Sequence, residues 1–225
     1  MMHSLPSGAT RSTGAEKTVM TPPTANSTTP HRAEVKAQIV AALAALLERE
    51  TRWADVTVDA IAEEAGIKRT LFYNYFKDRG EVLAELGLAV RDALLGISSD
   101  WVSTTLSPEE LKQDLIRYIE VQQKHSQISR AMRDASPSEG AVRELWESLP
   151  RTMIPLTADR IIKARSEGSA PPGPDPYLLA FCLILMTARV TFECLFNNPS
   201  TLEPVLQTAQ AVWQMSIYGA PSSSD

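Results

Sequence analysis

Cysteine and histidine are scarce in this chain, and their scarcity removes several chemistries at once. Only Cys182 and Cys194 occur, twelve residues apart in a segment patterned as one helix. At ~1.5 Å of rise per residue they stand roughly 18 Å apart, too far for a bridge within the chain. Both are read as reduced and structural, which favours the cytoplasm. His3 falls in an N-terminal tail, His31 before the first helix and His125 at the end of the fifth. No metal-ligand spacing, phosphate-binding glycine loop or nucleophile and base pair results, so the expectation is no catalytic residues, no metal and no cofactor.

Long apolar runs are also missing. The longest nearly unbroken one, Tyr177 to Met186, is shorter than the ~20 residues that span a bilayer. The first residues lack the charged start and apolar centre of a signal peptide. A soluble, intracellular protein is expected, with no membrane partner. Nor is there an excess of basic charge: the formal net charge is -5, so any contact with nucleic acid must come from a local patch.

What is present is helical patterning, with no sustained strand alternation. Residues 1–30 are rich in Ser, Thr, Pro, Gly and Ala and bury too little surface to offset their ordering entropy, so they read as a disordered tail. Arg11 and Lys17 lie within it. Val35, Ile39, Leu43, Leu46 and Leu47 share one face of a first helix over about 33–50. Thr57 caps a short second helix that Gly66 closes, and a third follows over about 68–75. Asp78 with Glu81 starts a long fourth helix over about 79–104. Ser107, Pro108 and Glu110 start a fifth that runs to Lys124.

A sixth helix is predicted near 126–135. The seventh, from Glu139 to Glu167, carries Pro150 and Pro155 and is expected to kink or break there. Gly168 to Pro174 forms a loop, Asp175 and Pro176 start the eighth helix, and Thr201 to Tyr218 forms the ninth. The fold class is all-α, with a tail over 1–30, a first helical domain over 31–91 and a second helical domain over 92–225.

The most informative stretch is VTVDAIAEEAGIKRTLFYNYFKDRGEVL, Val56 to Leu83. Ile61, Ala65, Ile67, Phe72 and Phe76 can face inward, small Ala62 lets two short helices cross closely, and Gly66 turns between them. That leaves Lys68, Arg69, Thr70, Tyr73, Asn74 and Tyr75 outward. A helix fits the major groove, where Arg pairs with guanine, Asn with adenine, and Thr or Tyr meets a thymine methyl. Lys68, Arg69, Lys77 and Arg79 against the single acid Asp78 supply the local positive balance.

This stretch resembles the N-terminal domain of TetR-family regulators. Thr57, Ala62, Gly66, Tyr73, Tyr75, Phe76, Arg79, Val82 and Leu83 fit that pattern in order. Lys68 stands where the family often has serine, Leu71 where it has threonine, and Gly80 where an acid is common. The resemblance implies base contacts from Arg69, Thr70, Tyr73 and Asn74, and phosphate contacts from Thr57, Lys68, Tyr75, Lys77 and Arg79. The alternative for Tyr73 and Tyr75 is core packing, and for Lys77 and Arg79 a solvated helix start.

In the C-terminal half the eighth helix is apolar all round, through Phe181, Leu183, Ile184, Leu185, Met186, Val190, Phe192 and Phe196. It is expected to be buried on nearly every side, as a core helix or also against a partner chain. Arg189 and Glu193, four apart, read as a helix-surface or interface pair. The ending WQMSIYG and the step Glu144, Leu145, Trp146 are similar to the ethionamide-resistance repressor subgroup of the TetR family. That similarity implies a homodimer through helices eight and nine, and an apolar channel between helices four, five, seven and eight. Its implied walls are Leu94, Ile97 and Trp101, then Ile119, Trp146 and Met153, then Leu156, Thr157, Ile184, Thr187 and Phe192, each with plain core as the alternative.

A predominantly hydrophobic effector, double-stranded operator DNA and a second copy of the chain are thus the expected partners. The expected function is repression relieved by ligand. The rival is an activator or architectural DNA-binding dimer that takes no small molecule.

Overall fold

A computed structural model describes residues 28–49, 52–99, 107–198 and 202–219. Among these the chain forms nine α-helices and no strand: α1 (Thr28–Glu48), α2 (Val58–Glu64), α3 (Arg69–Phe72), α4 (Arg79–Ser99), α5 (Pro108–Lys124), α6 (Ser126–Ala135), α7 (Gly140–Ser166), α8 (Pro176–Phe196) and α9 (Leu202–Tyr218). A 3-10 turn, Trp53–Asp55, precedes α2. The all-α expectation holds.

Local chemistry sets most of the boundaries. The Thr57 hydroxyl accepts from Ala60 N at 3.1 Å and starts α2. Gly66 stops it at φ 64°, and Ile67 N donates back to Ala62 O at 2.9 Å, satisfying a carbonyl at the helix end. Ser107 and Glu110 form a full capping box at α5. Asp175 accepts from Leu178 N at 2.9 Å at the start of α8. At α4 the box is altered: Glu81 N donates to Asp78, but the Glu81 carboxylate reaches past Asp78 to accept from Lys77 N.

Several expected boundaries move. Helix α1 begins at Thr28, so residues 28–30 of the expected tail are helical; Pro30 falls in the first turn, where a missing N–H costs no helical bond. Helix α3 ends at Phe72 rather than near 75, because Asn74 and Tyr75 donate three residues back, to Leu71 and Phe72, and the chain tightens into turns. Helix α7 runs through Pro150 and Pro155 as one element. It packs along α4 and α8, and that burial outweighs the backbone bonds the prolines remove. The rest of the expected tail and residues 100–106 lie outside the described residues.

Two large cores form. In the first, α1 (Ile39, Leu43, Leu47), α2 (Ile61, Ala65), Phe72, Phe76 and α4 (Val82, Leu83) meet α6 (Met132, Ala135) and α7 (Val142, Leu145). The second joins α5, α7, α8 and α9 through Leu111, Leu115, Ile154, Ile161, Leu183, Trp213 and Ile217. A boundary at residue 91 falls inside α4, and the first core crosses it.

Helix α8 has 21 residues and is apolar enough, by length and composition, to cross a membrane, although its unbroken apolar run is shorter. It packs instead against α7 and α9. Within one copy of the chain it is buried on one side only. Leu183, Thr187, Thr191 and Phe192 face inward, while Tyr177, Leu178, Phe181 and Leu185 are exposed.

Candidate nucleic-acid interface and ligand cavity

A four-residue helix cannot hold itself together in water, so α3 depends on its anchor. Phe72 is that anchor, fully buried and packed beside Phe76 with ring centroids 6.0 Å apart. With Phe72 inward, Arg69, Thr70, Tyr73 and Asn74 are exposed, as are Thr57, Lys68 and Lys77. Tyr73 is 47% exposed.

Arg69 is already oriented. Its Nη1 lies 2.5 Å from Asp59 of α2, its Nη2 donates to the Tyr73 hydroxyl at 3.1 Å, and its guanidinium sits 5.7 Å from the Tyr73 ring centroid. Both partners of the ion pair are exposed, so it is weak and can exchange for a nucleic-acid partner. Tyr75 is half-buried, with Arg32 of α1 over its ring at 5.5 Å. Arg32 also donates to Asn74 O at 3.3 Å. Sequence reasoning missed Arg32 and Asp59: nothing in local spacing brings a residue 42 positions away to Asn74.

Arg79 does not point outward. Its Nη1 donates to Trp53 O at 3.0 Å and to Val56 O, its Nε to Glu139 at 3.4 Å, and its guanidinium covers the Trp53 ring at 4.5 Å. Where a phosphate contact or a solvated helix start was expected at Arg79, the structure places an internal clamp, because its planar fork of N–H donors reaches two carbonyls and a carboxylate together.

The second feature is a cavity of about 200 Å³ among α4, α5, α6, α7, α8 and α9. For scale, a dry apolar cavity of about 150 Å³ takes up benzene. Of the wall positions implied by the resemblance, Leu94, Ile97, Trp146, Met153, Ile184 and Thr187 line it. Ile119, Leu156, Thr157 and Phe192 do not. Ile119 and Thr157 are buried elsewhere and Leu156 is half-buried. Phe192 packs behind the wall, edge-on to Trp146 at 6.3 Å and under Arg133 at 4.2 Å. Trp101 lies outside the described residues.

The sequence reading missed much of the wall on α5. Leu111, Asp114, Leu115, Tyr118 and Gln122 repeat at helical spacing, and that stripe was readable. Gly87, Val90 and Arg91 extend the α4 wall, and Trp213 enters from α9. Asp114 and Arg160 are both buried, 3.4 Å apart. Burial raises the Asp114 pKa despite Arg160 and Arg117 opposing it, and burial lowers that of Arg160. Burial likewise raises the Tyr118 pKa.

Two family models match this chain. Residues 39–86 match bacterial regulatory proteins of the tetR family, and residues 112–219 match the C-terminal domain of the transcriptional regulator EthR. The HTH-type transcriptional regulator EthR of Mycolicibacterium smegmatis is 30% identical over 203 residues, covering 88% of this chain and 93% of that protein. The chain belongs to the TetR family. The EthR of Mycobacterium tuberculosis (strain CDC 1551 / Oshkosh) is 32% identical over 176 residues, covering 74% of this chain and 79% of the relative. The fold is shared with FadR of Bacillus subtilis, solved in complex with stearoyl-CoA, at 15% identity and TM-score 0.63 over 82% of this chain and 99% of that one. As a TetR-family member this is a DNA-binding transcriptional regulator. Regulators of the family bind operator DNA and act as dimers.

Proposed function

We propose that this chain is a repressor released from its operator by a small hydrophobic effector, and that it is not an enzyme. One observation carries the reading: α4 begins at the helix-turn-helix and, two turns later, walls the cavity through Gly87, Val90, Leu94 and Ile97. Two recognition helices in a dimer must meet major grooves about 34 to 36 Å apart. A molecule wedged between α4 and α8 tilts α4 and spoils that spacing. It acts through its better affinity for the state that does not bind DNA.

In this reading Arg69, Thr70, Tyr73 and Asn74 meet base edges, while Thr57, Lys68, Lys77 and the rim of Tyr75 meet phosphates. Arg32, beside Asn74 and Tyr75, joins the phosphate set. The dimer forms through α8 and α9, whose outer faces carry exposed Phe181, Leu185 and Met215. The protein works in the cytoplasm, at the nucleoid when bound.

Selecting bound sequences from random duplexes with the purified chain tests the DNA half, and a palindrome is the expected result. No salt-sensitive preference for any duplex would end the whole reading. Adding a saturating hydrophobic ligand should then lower operator affinity. If affinity stays unchanged, the chain is an architectural protein or activator that only dimerises.

A further inference from the structure

We propose that a pocket between α6 and the turn before α2 binds a phosphate group, held by Arg52, Arg130 and Arg133 around the indole of Trp53. The pocket shares no wall residue with the apolar cavity, so the site stands or falls apart from the effector.

The pocket measures about 140 Å³, close to the ~150 Å³ that admits benzene. It takes one phosphate group and leaves whatever carries that group outside. Its walls bring together three guanidiniums, from Arg52, Arg130 and Arg133, the Gln127 amide and one carboxylate, Asp134. In a chain whose formal net charge is -5, this is a local excess of positive charge that draws anions.

The guanidiniums are placed in advance and loosely engaged. Arg130 rests over the Phe196 ring at 4.9 Å and Arg133 over the Phe192 ring at 4.2 Å, so α8 holds both while the N–H donors along their edges stay available. Arg130 forms no ion pair among the described residues. Arg52 pairs with Asp55 at 2.9 Å and Arg133 with Asp134 at 3.0 Å. Both pairs reach solvent, which makes them weak and open to displacement by a dianion.

Trp53 is 4% exposed, and its Nε1–H meets no acceptor among the described residues. A buried donor left unpaired costs free energy. Arg79 covers its ring and the arginines of the pocket stand beside it, so its neighbours are donors too. An oxyanion is the acceptor common to all of them. A carboxylate offers two oxygens, whereas a phosphate monoester offers three, one for each guanidinium, and the arginine fork matches them.

The phosphate belongs to a free small molecule or to DNA backbone flanking the operator, and the test separates the two. The full chain, isotopically labelled at its tryptophan indoles, is titrated with inorganic phosphate at fixed ionic strength. The Trp53 indole resonance, assigned with Trp53→Phe, should shift and saturate with phosphate and stay still with chloride. Arg130→Gln and Arg133→Gln should each weaken phosphate about tenfold, the loss of one charged hydrogen bond. Asp134→Asn should tighten it by removing the competing carboxylate. Operator duplexes with and without longer flanks are then compared. A loss on Arg130→Gln confined to the long duplex assigns the phosphate to DNA, and no loss on either duplex, with the phosphate titration positive, assigns it to a free compound. The site is overturned if chloride shifts the resonance as far as phosphate, or if the phosphate response survives both arginine replacements. It is equally overturned if phosphate gives no saturable shift and Arg130→Gln leaves binding of the long duplex unchanged.

Discussion

Arg79 at the start of α4 and Glu139 at the cap of α7 meet Nε to Oε1 at 3.4 Å, joining the helix-turn-helix to the helical half. The same guanidinium holds the carbonyls of Trp53 and Val56 and covers the Trp53 ring. A lysine keeps the charge but has no planar fork with which to reach these groups together. Arg79→Lys should therefore lower the unfolding free energy by about 2 kcal/mol, read by denaturant titration, with little change in the salt dependence of DNA binding. Unchanged stability with a shallower salt slope would instead make Arg79 a phosphate contact.

Gly80 belongs to the same junction. A Cβ built there would lie 2.6 Å from Glu139 Oε2 and 3.0 Å from Glu139 Cβ. Helix propensity alone favours alanine over glycine by about 1 kcal/mol. Gly80→Ala should nonetheless destabilise the protein, because Glu139 must leave Arg79 to make room. In a Glu139→Gly background the same alanine should cost less, and an equal cost in both backgrounds would show that Glu139 is not the obstacle.

Tyr73 stands on α3 with its ring edge-on to Phe72 at 5.5 Å and much of its surface exposed. Its removal should leave the fold intact. Tyr73→Ala is expected to cost about 1–3 kcal/mol of affinity for the selected operator and to narrow the margin over scrambled duplex, measured by fluorescence anisotropy. Unaltered operator binding would take Tyr73 off the contact surface.

These residues mark how far the sequence could be read. Caps and turns were legible because their chemistry is local: Thr57, Gly66, Ser107 and Asp175 each act within a few residues of themselves. The inward set Ile61, Ala65, Phe72 and Phe76 followed from spacing. The internal contacts of Arg79 were not legible because its partners, Trp53, Val56 and Glu139, are 26, 23 and 60 positions away, beyond the reach of any periodic pattern. The cavity was half legible. Helices α4 and α7 were placed by resemblance, whereas the α5 stripe from Leu111 to Gln122 mixes Asp114 and Gln122 among its apolar members and was passed over. Phe192 shows the converse: an aromatic at pocket spacing that supports the wall from behind.

His125 links α5 to α6, and burial, reinforced by Lys124 beside it, lowers its pKa below the ordinary 6.5. The folded protein therefore binds fewer protons than the unfolded chain between that lowered value and 6.5. The stability this neutral imidazole contributes is present above 6.5 and is lost as pH falls from there through the lowered folded value. The stability difference between the wild type and His125→Gln should shift against the wild type from about pH 7 to about pH 5, by thermal or urea unfolding at fixed salt. A difference that does not vary over that window would mean the imidazole titrates alike in both states.

Tyr177, Phe181 and Leu185 recur every four residues along α8, with Leu178 beside them at 62% exposure. Met215 of α9 is exposed as well, and α9 packs directly on α8. A row of large apolar side chains on two adjoining helices is the kind of surface soluble proteins cover with a partner. On a two-fold axis the same row serves both copies. A carboxylate within such a contact would be desolvated without a counter-ion, so Leu178→Glu with Phe181→Glu should give a monomer by light scattering. Because both side chains point away from the core, helical content should be unchanged. The monomer should also lose affinity for the full palindrome while keeping that for a half-site, since only a dimer holds two recognition helices at a fixed spacing. A double variant that stays dimeric would move the interface off α8 and, with it, the reason for that exposed row.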